Sequence, residues 1–377
     1  MALIALSAAG ALLLYTYTLY PLAVLLLARL RPRPVRWAEW EPRISFIITA
    51  HNEERDIARK LDNTLALEYP RQHLEILVAS DGSTDQTHSI VESYAGRGVR
   101  LAASPRRVGK TVATQRAVGE AVGELLVFSD ATGLYNPDAL RHLCRAAADP
   151  AVGCVSGRVE YEYGDALLSQ GFRLYQRYEK ALRRAESACG SLTSVSGSIH
   201  AVRRALFPSS QAHQNYDLLL PLALARRGLR TVYENEAVSM ETARTRARDE
   251  FQARVRAAIR AFSYLAELRR FGWVLNYPFF VWAVVSHKIL RWFTPLWLIL
   301  LLCGHLFLAA RGGVWLWSLL PHAGVYLLAA LGAALPPGRF TRWLAGPAFL
   351  GAACAGFLVG LVSFLRGARA AAWESAR

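Results

Sequence analysis

Two apolar segments of the chain each run into an aspartate. Leu125–Ser129 is followed directly by Asp130, and Leu74–Ala79 is followed by Asp81 after one serine. A continuous apolar run bounded by turn residues is typical of a strand buried on both faces of a parallel sheet. In open α/β sheets, ligands bind outside the carboxyl ends of the strands. The spacing therefore predicts that Asp81 and Asp130 lie where buried strands open onto a cleft.

The polar residues near these aspartates suit a nucleotide ligand. Glu53 follows a third apolar segment, Ile44–Ala50, and Asp81 begins the loop D-G-S-T-D. Carboxylates, hydroxyls and glycine at strand ends suit a ribose, a base edge and a metal-bound diphosphate. A capped turn is the alternative for the loop, and a helix or turn cap is the alternative for Asp130. The order and spacing of the three segments favour a binding site.

The segment V-G-K-T at 108–111 looks like the end of a phosphate-binding P-loop. The glycine that such a loop requires five residues before Gly109 is Ser104 here, and no strand leads directly into a Gly-rich loop. The spacing therefore excludes an ATPase of this type. Lys110, at a predicted helix start, remains a candidate for a phosphate contact, with an exposed helix lysine as the alternative.

Strand-like and helix-like segments alternate with short connections through the middle of the chain. This alternation predicts βαβ units, a doubly wound, mostly parallel sheet and therefore an α/β fold. Asn52 is expected to cap the first helix. The predicted strands are Ile44–Ala50, Leu74–Ala79, Val99–Ala103, Leu125–Asp130 and Gly153–Tyr163. The other predicted helices are Thr84–Ala95, Gly109–Val122, Pro137–Ala148, Asp165–Ser187 and Leu218–Arg226.

Apolar residues concentrate near the two ends of the chain. They make up 53% of the 377 residues, which is more than a soluble protein usually carries. Residues 1–28 contain no charge, and all ten Trp lie outside the middle, as their enrichment at membrane–water boundaries explains. Because about 20 helical residues at ~1.5 Å each cross a bilayer core, residues 1–28 predict a transmembrane helix.

The net charge of +15 is carried mostly by arginine. It suits nucleic acid, an anionic membrane surface or a phosphorylated substrate. The chain has no nucleic-acid motif and many arginines flank apolar spans, which favours membrane lipids and phosphate and predicts no nucleic-acid partner. The five cysteines form no C-x-x-C pair and predict reduced, packed thiols.

Arginines also set the expected orientation in the membrane. Four of them follow the first apolar segment, within a linker at 29–43, and basic residues collect on the cytoplasmic side. A cleaved signal peptide would carry its basic residues before the apolar run. We therefore expect the N-terminus outside and a cytoplasmic domain at 44–250. The four arginines are Arg29, Arg31, Arg33 and Arg36.

The region 278–365 is expected to cross the membrane again, before a tail at 366–377. Its apolar spans are Phe293–Ala310, Val314–Leu335 and Leu344–Leu365. Three full crossings would put the basic tail outside, against the positive-inside tendency. Either Pro278–Ser286 adds a partial or full crossing, or one span is re-entrant, and both alternatives remain open.

Five motifs then occur in a fixed order: T-A-H-N-E-E, A-S-D-G-S-T-D, G-K-T-x-A, F-S-D-A-T and N-P-D-A-L. As a set they resemble the GT-A domain of family 2 glycosyltransferases, a group that includes the membrane-bound synthases of cellulose, chitin and hyaluronan and their non-polymerising relatives. The resemblance runs from Ile44 to about Arg260. It implies a GT-A fold with N-terminal and C-terminal transmembrane helices.

The resemblance also implies roles for single residues. Glu53 and Asp81 would contact the nucleoside of a sugar nucleotide, and Asp130 would hold a divalent metal, Mg²⁺ or Mn²⁺, against the diphosphate. The family often has a second carboxylate two residues after this aspartate, where this chain has Thr132. The other residues implied to bind substrate near these positions are Ala50, Asn52, Ser83 and Lys110.

Asp217 resembles the family position at which an aspartate, usually after Thr-Glu, serves as catalytic base. Here Asn-Tyr precedes it, so only the aspartate matches. Direct displacement at an anomeric carbon needs one base to take the acceptor proton, whereas a helix cap is the alternative role. Ser196 and Gly197 resemble a turn beside the acceptor channel of relatives, and a turn that requires glycine is the alternative.

Residues 251–277 are expected to form an amphipathic helix in the membrane interface, because apolar residues at helical spacing alternate with arginines. Polymer synthases carry Q-x-x-R-W here, whereas this chain has Q-A-R-V-R at 252–256 and no tryptophan, which argues against a processive polymerase of the cellulose type. Arg254 and Arg256 are candidates for the diphosphate, with a lipid-phosphate face as the alternative.

Together these features predict an inverting glycosyltransferase. It would move a sugar from a nucleotide-diphosphate sugar to a lipid, lipid-linked saccharide or polysaccharide acceptor at the membrane, in cell-envelope or exopolysaccharide biosynthesis. Two alternatives remain open. Thr132 and the residues around Asp217 motivate a non-catalytic, nucleotide-binding membrane regulator, and a short-polymer synthase would retain the enzyme but change the product.

Overall fold

The computed structural model describes residues 1–163, 167–208, 216–243, 247–268, 276–335, 338 and 341–368. Within these residues, eight strands form one mixed sheet in the order β3-β2-β1-β4-β7-β6-β8-β5. The strands are β1 Ile44–Ala50, β2 Leu74–Ser80, β3 Val99–Ala103, β4 Leu125–Asp130, β5 Leu134–Tyr135, β6 Val152–Glu162, β7 His200–Arg203 and β8 Arg230–Thr242.

Helices cover the sheet and extend from both ends of the chain. Before β4 they are α1 Ala2–Leu14, α2 Tyr20–Leu30, α3 Ile57–Leu65, α4 Thr87–Ser93 and α5 Lys110–Glu120. Then follow α6 Ala139–Ala147, α7 Leu167–Cys189, α8 Tyr216–Arg226 and α9 Ala247–Leu268. The last are α10 Pro278–Ala283, α11 Leu290–Trp292, α12 Thr294–Ala309, α13 Val314–Ala334 and α14 Ala345–Leu365.

One half of the sheet, β3-β2-β1-β4, is parallel throughout, as predicted. β1 pairs in parallel with β2 and β4, and β6 pairs in parallel with β8. β7 runs antiparallel between β4 and β6. The mostly parallel α/β prediction is therefore confirmed.

Two hydrophobic cores lie on opposite faces of this sheet. All seven residues of β1 are buried, and their side chains alternate between the faces. Phe46 packs with Leu61 of α3 in one core, whereas Ile47 packs with Leu220 of α8 in the other. Burial on both faces explains why the central strands read as continuous apolar runs rather than alternating ones.

Asn52 does not cap a helix, contrary to the sequence prediction. α3 begins only at Ile57, with Asp56 at its N-cap position. Asn52 has a φ of +54°, a left-handed conformation that asparagine tolerates. Its Oδ1 accepts a hydrogen bond from the backbone nitrogen of Thr84 at 2.8 Å. The side chain therefore ties the turn after β1 to the loop after β2.

Other differences concern the ends of elements. α6 begins at Ala139 rather than Pro137, and β6 is displaced by one residue from its predicted span. One predicted helix starts at Asp165, and another extends to the residues around Trp273. Both positions lie outside the described residues, so α7 and α9 have the bounds given above. β8 was missed because glutamates interrupt its apolar residues.

In the described residues, three helices are long and apolar enough to cross a membrane: Ala2–Leu30, Val314–Ala334 and Arg342–Leu365. A fourth crossing results if the bent pair Pro278–Trp292 and Thr294–Ala309, which meet at 59°, forms one span. Pro295 stands just after this bend and cannot donate a helical hydrogen bond, which explains the break. Pro278–Ser286 thus belongs to this bent pair.

α9 packs directly on α14 through two glycines one turn apart. A Cβ on Gly360 would lie 2.4 Å from the Cβ of Ala258, and a Cβ on Gly356 would lie 2.6 Å from the Cβ of Arg254. Small residues at this spacing let helix backbones approach closely. The contact fixes α9, and therefore its arginines, relative to an apolar helix.

We expect Gly360→Ala to destabilise the protein by about 1–3 kcal/mol, because the added methyl group overpacks this contact. Gly346→Ala is the matched control, since a Cβ at Gly346 meets no atom within 4 Å in the same helix. The control should gain up to about 1 kcal/mol, because alanine favours helix over glycine. Thermal unfolding in detergent measures both. Equal melting temperatures for the two variants would contradict the proposed packing.

Candidate active site

Asp130 stands at the end of β4, beside Thr49 at the end of β1. Thr49 Oγ1 donates to Asp130 Oδ1 at 3.0 Å, and Ser198 Oγ donates to Asp130 Oδ2 at 3.3 Å. Lys110 Nζ forms an ion pair with the same carboxylate. Burial favours the neutral acid, but the Lys110 charge and these hydrogen bonds outweigh it and lower the pKa of Asp130.

Asp217 and Lys110 both border the turn that leads into β7. A Cβ on Gly197 would lie 3.5 Å from both carboxylate oxygens of Asp217 and 3.4 Å from Lys110 Nζ. The turn is tied to α8, since the backbone nitrogen of Val195 donates to the Asp217 carbonyl oxygen at 2.8 Å. Glycine at 197 therefore leaves room between an ammonium group and a carboxylate.

The two aspartates differ in their affinity for a proton. Burial raises the pKa of Asp217; the Lys110 charge opposes that rise, and the charge of Asp130 adds to it. Burial by itself would lower the pKa of the Lys110 ammonium group. The negative charges of Asp130 and then Asp217 outweigh burial and raise that pKa. Two carboxyl groups whose pKa values are pushed apart commonly take different roles in one reaction.

Asp81 anchors the loop that carries Lys110. Its Oδ1 accepts hydrogen bonds from the backbone nitrogens of Val108 at 2.7 Å and Gly109 at 2.9 Å. Gly82, with a φ of +61°, lets the two loops touch, since a Cβ there would lie 2.5 Å from the backbone nitrogen of Arg107. Asp81 thus lies at the neighbouring strand end, but its carboxylate faces this loop.

A cavity of about 1040 Å³ opens beside these loops. Asn52 and Ser83 line it, and the backbone nitrogen of Asn52 donates to Ser83 Oγ at 3.1 Å. Glu53 is almost fully buried behind it, and its backbone nitrogen donates to Thr87 Oγ1. Ala50 contributes its carbonyl oxygen to the backbone of Asp81. The basic residues of this cavity are His51, His88, Arg106, Arg107 and Arg116.

The arginines of α9 face two different regions. Arg254 forms an ion pair with Glu250, with its Nε 2.7 Å from Oε1, and its guanidinium lies over the ring of Phe349. Residues two apart on a helix do not face the same way, so Arg254 and Arg256 point to different sides. Arg260, one turn after Arg256, is close enough to Asp217 and Lys110 to influence both charges.

Sequence reasoning missed several residues of this site. Thr49 and Ser198 contact Asp130 directly, and the charges of Arg183 and Arg260 act on Asp217. Arg260 had a usable signal, because it follows Arg256 by four residues on the same helix face. The other three carried no local pattern.

The site fits a divalent metal only together with a phosphate ligand. No group of three or more metal-binding side chains occurs among the described His, Cys, Asp and Glu residues. Asp130 offers one carboxylate, and Thr132 two residues later offers a neutral oxygen. Mg²⁺ and similar ions are often held by one or two carboxylates, substrate phosphates and water. Asp130 is thus a suitable protein ligand for a metal that the diphosphate also binds.

Comparison with known proteins agrees with this architecture. The family model described as glycosyl transferase family 2 matches residues 45–209, so this part of the chain is a family 2 glycosyltransferase domain. A mannosyltransferase from Pyrobaculum calidifontis, solved in complex with GDP-Man and Mn²⁺, is similar over 96% of this chain and 99% of its own, with 26% identity and a TM-score of 0.71. The GT-A fold prediction is therefore confirmed, and the Mn²⁺ of this relative supports a divalent metal.

Curated relatives match the chain over shorter stretches. A dolichyl-phosphate beta-glucosyltransferase of Trichomonas vaginalis is 34% identical over 120 residues, which are 30% of this chain and 36% of the relative. A poly-beta-1,6-N-acetyl-D-glucosamine synthase of Staphylococcus epidermidis is 25% identical over 157 residues, or 41% of this chain and 38% of the relative. The chain thus spans little more than a third of these relatives' length.

The opposite pKa shifts predict opposite effects on stability at neutral pH. Asp130→Asn should lower the melting temperature, because the native state favours the ionised form of Asp130. Asp217→Asn should raise it, because the native state disfavours the ionised form of Asp217. Thermal unfolding in detergent measures both.

The pH dependence provides the control for this prediction. The contribution of Asp130 is present above its unfolded-state pKa and lost as pH falls through its lower folded-state pKa. The gain in Asp217→Asn is full above the raised folded-state pKa of Asp217 and fades as pH falls below it. Shifts of the same sign in the two variants at neutral pH would contradict the assigned environments.

Proposed function

We propose that the chain is an inverting glycosyltransferase that moves a sugar from a nucleotide-diphosphate sugar to a hydroxyl of a lipid, lipid-linked saccharide or polysaccharide at the membrane. The observation that carries this proposal is the cluster of Asp130 at the end of β4, Lys110 at the start of α5 and Asp217 in the first turn of α8. A single carboxylate with a raised pKa next to a phosphate-binding lysine suits direct displacement.

The donor would occupy the cavity beside Asn52 and Ser83 and reach Asp130 with its diphosphate. The polar and basic lining of that cavity supports a nucleotide, and the GDP-Man bound by the mannosyltransferase relative supports a nucleotide-diphosphate sugar. Asp81 would act by holding the loop in front of the donor. Lys110 would donate hydrogen bonds to phosphate oxygens from the helix start, where anions are favoured.

Asp130 would hold Mn²⁺ or Mg²⁺, which supplies positive charge to the departing diphosphate. Asp217 would accept the proton of the acceptor hydroxyl as its oxygen attacks the anomeric carbon. Burial raises the pKa of Asp217, which makes its carboxylate a stronger base, and the Lys110 charge limits that rise. With one base and no carboxylate nucleophile in this role, the configuration at the anomeric carbon inverts.

The domain at 44–250 would face the cytoplasm, as the arginines after the first apolar helix support. This orientation places the donor site on the side where nucleotide sugars are made. Labelling of Glu92→Cys, an exposed position on α4, with a membrane-impermeant reagent before and after cell lysis tests it. Labelling of intact cells would contradict the orientation.

We expect Asp217→Asn to lower transfer by about 10²–10⁴-fold while nucleotide binding is retained, because the base is lost and the donor cavity is not changed. The matched control is Asp62→Asn, whose side chain is 58% exposed and pairs with Arg97 on the surface. A transfer assay with radiolabelled donor and a thermal shift with the nucleotide measure the two properties. Full transfer by Asp217→Asn would show that Asp217 is not the base.

Chelation of divalent metal should stop transfer, and adding back Mn²⁺ or Mg²⁺ should restore it. The reason is that Asp130 offers a single carboxylate and would bind the departing diphosphate only through a shared metal. The two ions are compared at equal concentration to decide which supports turnover. Asp130→Asn should raise the metal concentration needed for half-maximal rate. Nucleotide binding without transfer or donor hydrolysis at any metal concentration would favour the non-catalytic regulator.

A further inference from the structure

A cavity of about 440 Å³ leads from Asp217 towards the membrane-facing helices; we call it the Asp217 cavity. Tyr175, Arg254 and Ala257 line it and also line a second cavity of about 530 Å³, which we call the membrane-side cavity. The two volumes lie in the range of small-molecule sites. One extended ligand can therefore occupy both cavities past Arg254.

The membrane-side cavity has one basic wall. His287, Lys288 and Arg291 line it, and all three contact Glu179 of α7, at 3.1, 3.7 and 2.9 Å. Burial would raise the pKa of Glu179, but these three cations hold it well below its usual range. Glu179 is therefore ionised and shared among them.

The cations of this wall outnumber the carboxylates that contact them. His287 Nδ1 lies 2.7 Å from Glu186, and its Nε2 lies 3.1 Å from Glu179. Lys288 and Arg291 share the single carboxylate of Glu179, so two cations of this wall meet one anion. Buried charge is costly unless it is paired, so an anion in this cavity would be stabilised.

The facing wall is apolar and belongs to a candidate membrane span. Leu350, Ala353 and Phe357 of α14 line it, together with Pro295 at the start of α12. A ligand that satisfies both walls has an anionic group and a hydrocarbon part. A membrane lipid with a phosphate or diphosphate group has this chemistry.

The Asp217 cavity suits the sugar part of such a lipid. Tyr161, Tyr233 and Phe172 offer ring faces, while Lys180 and Arg183 offer donors, and Asp217 lies at its inner end. Aromatic side chains with polar edges bind ligands that are part apolar and part hydrogen-bonding. The order along the two cavities is therefore base, hydroxylated group, anion and hydrocarbon.

We propose that the acceptor is a lipid-linked saccharide whose phosphate or diphosphate binds at Lys288, Arg291 and Arg254 and whose sugar extends to Asp217. This inference rests on the proposed transferase function. A lipid monophosphate would attack through an already ionised oxygen and would need no base, whereas a sugar hydroxyl needs Asp217. The acceptor oxygen bonds to the anomeric carbon as the bond from that carbon to the donor phosphate breaks, and the hydroxyl proton passes to Asp217.

The test compares acceptors with the full-length protein in detergent. They are a polyprenyl diphosphate hexose, polyprenyl monophosphate, and an alkyl hexoside without phosphate, with inorganic diphosphate as a competitor. We expect transfer to the polyprenyl diphosphate hexose. Lys288→Gln and Arg291→Gln should raise the KM for this acceptor about tenfold or more, as expected for loss of a charge-assisted contact, with kcat and the donor KM unchanged. Arg342→Gln, outside the cavity, is the matched control.

Binding provides a readout that does not depend on turnover. Polyprenyl diphosphate should raise the melting temperature of the wild type and of Arg342→Gln but not of Arg291→Gln, while the donor should still raise that of all three. An equal effect of inorganic diphosphate would show a free-anion site and overturn the lipid assignment.

The outcomes also separate this inference from the transferase proposal. Transfer to polyprenyl monophosphate that survives Asp217→Asn would overturn the acceptor assignment and leave a transferase. The acceptor assignment is also overturned if the alkyl hexoside and the lipid-linked hexose have the same KM in the wild type and if Arg291→Gln leaves both KM values unchanged. Donor binding without transfer to any acceptor or to water would overturn the transferase proposal itself.

Discussion

The site depends on one ion pair, that of Lys110 with Asp130 at the tip of the parallel sheet. Asp81 holds the backbone of Val108 and Gly109, and this sets where Lys110 begins its helix. From there the ammonium group lowers the pKa of Asp130 and restrains the rise in that of Asp217. Asp81, which follows β2 and is separated from β4 by β1, thus acts on Asp130 and Asp217 through a loop and a lysine, without touching either.

This arrangement suits a reaction in which charge moves. The ion pair keeps a partly buried carboxylate ionised when no diphosphate is near, since an unpaired charge removed from water would be costly. A diphosphate with its metal brings both the cation for Asp130 and the anion for Lys110, so each partner would exchange one opposite charge for another. Asp217 gains no such counter-charge and stays in an environment that disfavours its ionised form, as a base requires.

Much of the fold followed from local pattern, because the central strands are buried on both faces and their apolar runs are continuous. The sequence also identified Lys110, Asp130 and Asp217 as candidate site residues, and their roles in binding and catalysis remain predictions. What it could not show depends on contacts far apart in the chain. Asn52 bonds to a loop 32 residues away, and His287 bonds to glutamates 101 and 108 residues away. Neither contact leaves a periodic signal.

The helix α9 connects the chemistry to the membrane. Arg254 and Arg260 are six residues apart, so they point about 120° apart around the helix axis. One lines the membrane-side cavity, and the charge of the other acts on Asp217. α14 supports this helix through Gly356 and Gly360 and also forms the apolar wall of the membrane-side cavity. An acceptor that fills this cavity would therefore contact the same helix that positions Arg260, so acceptor binding and the charge around the base share one rigid element.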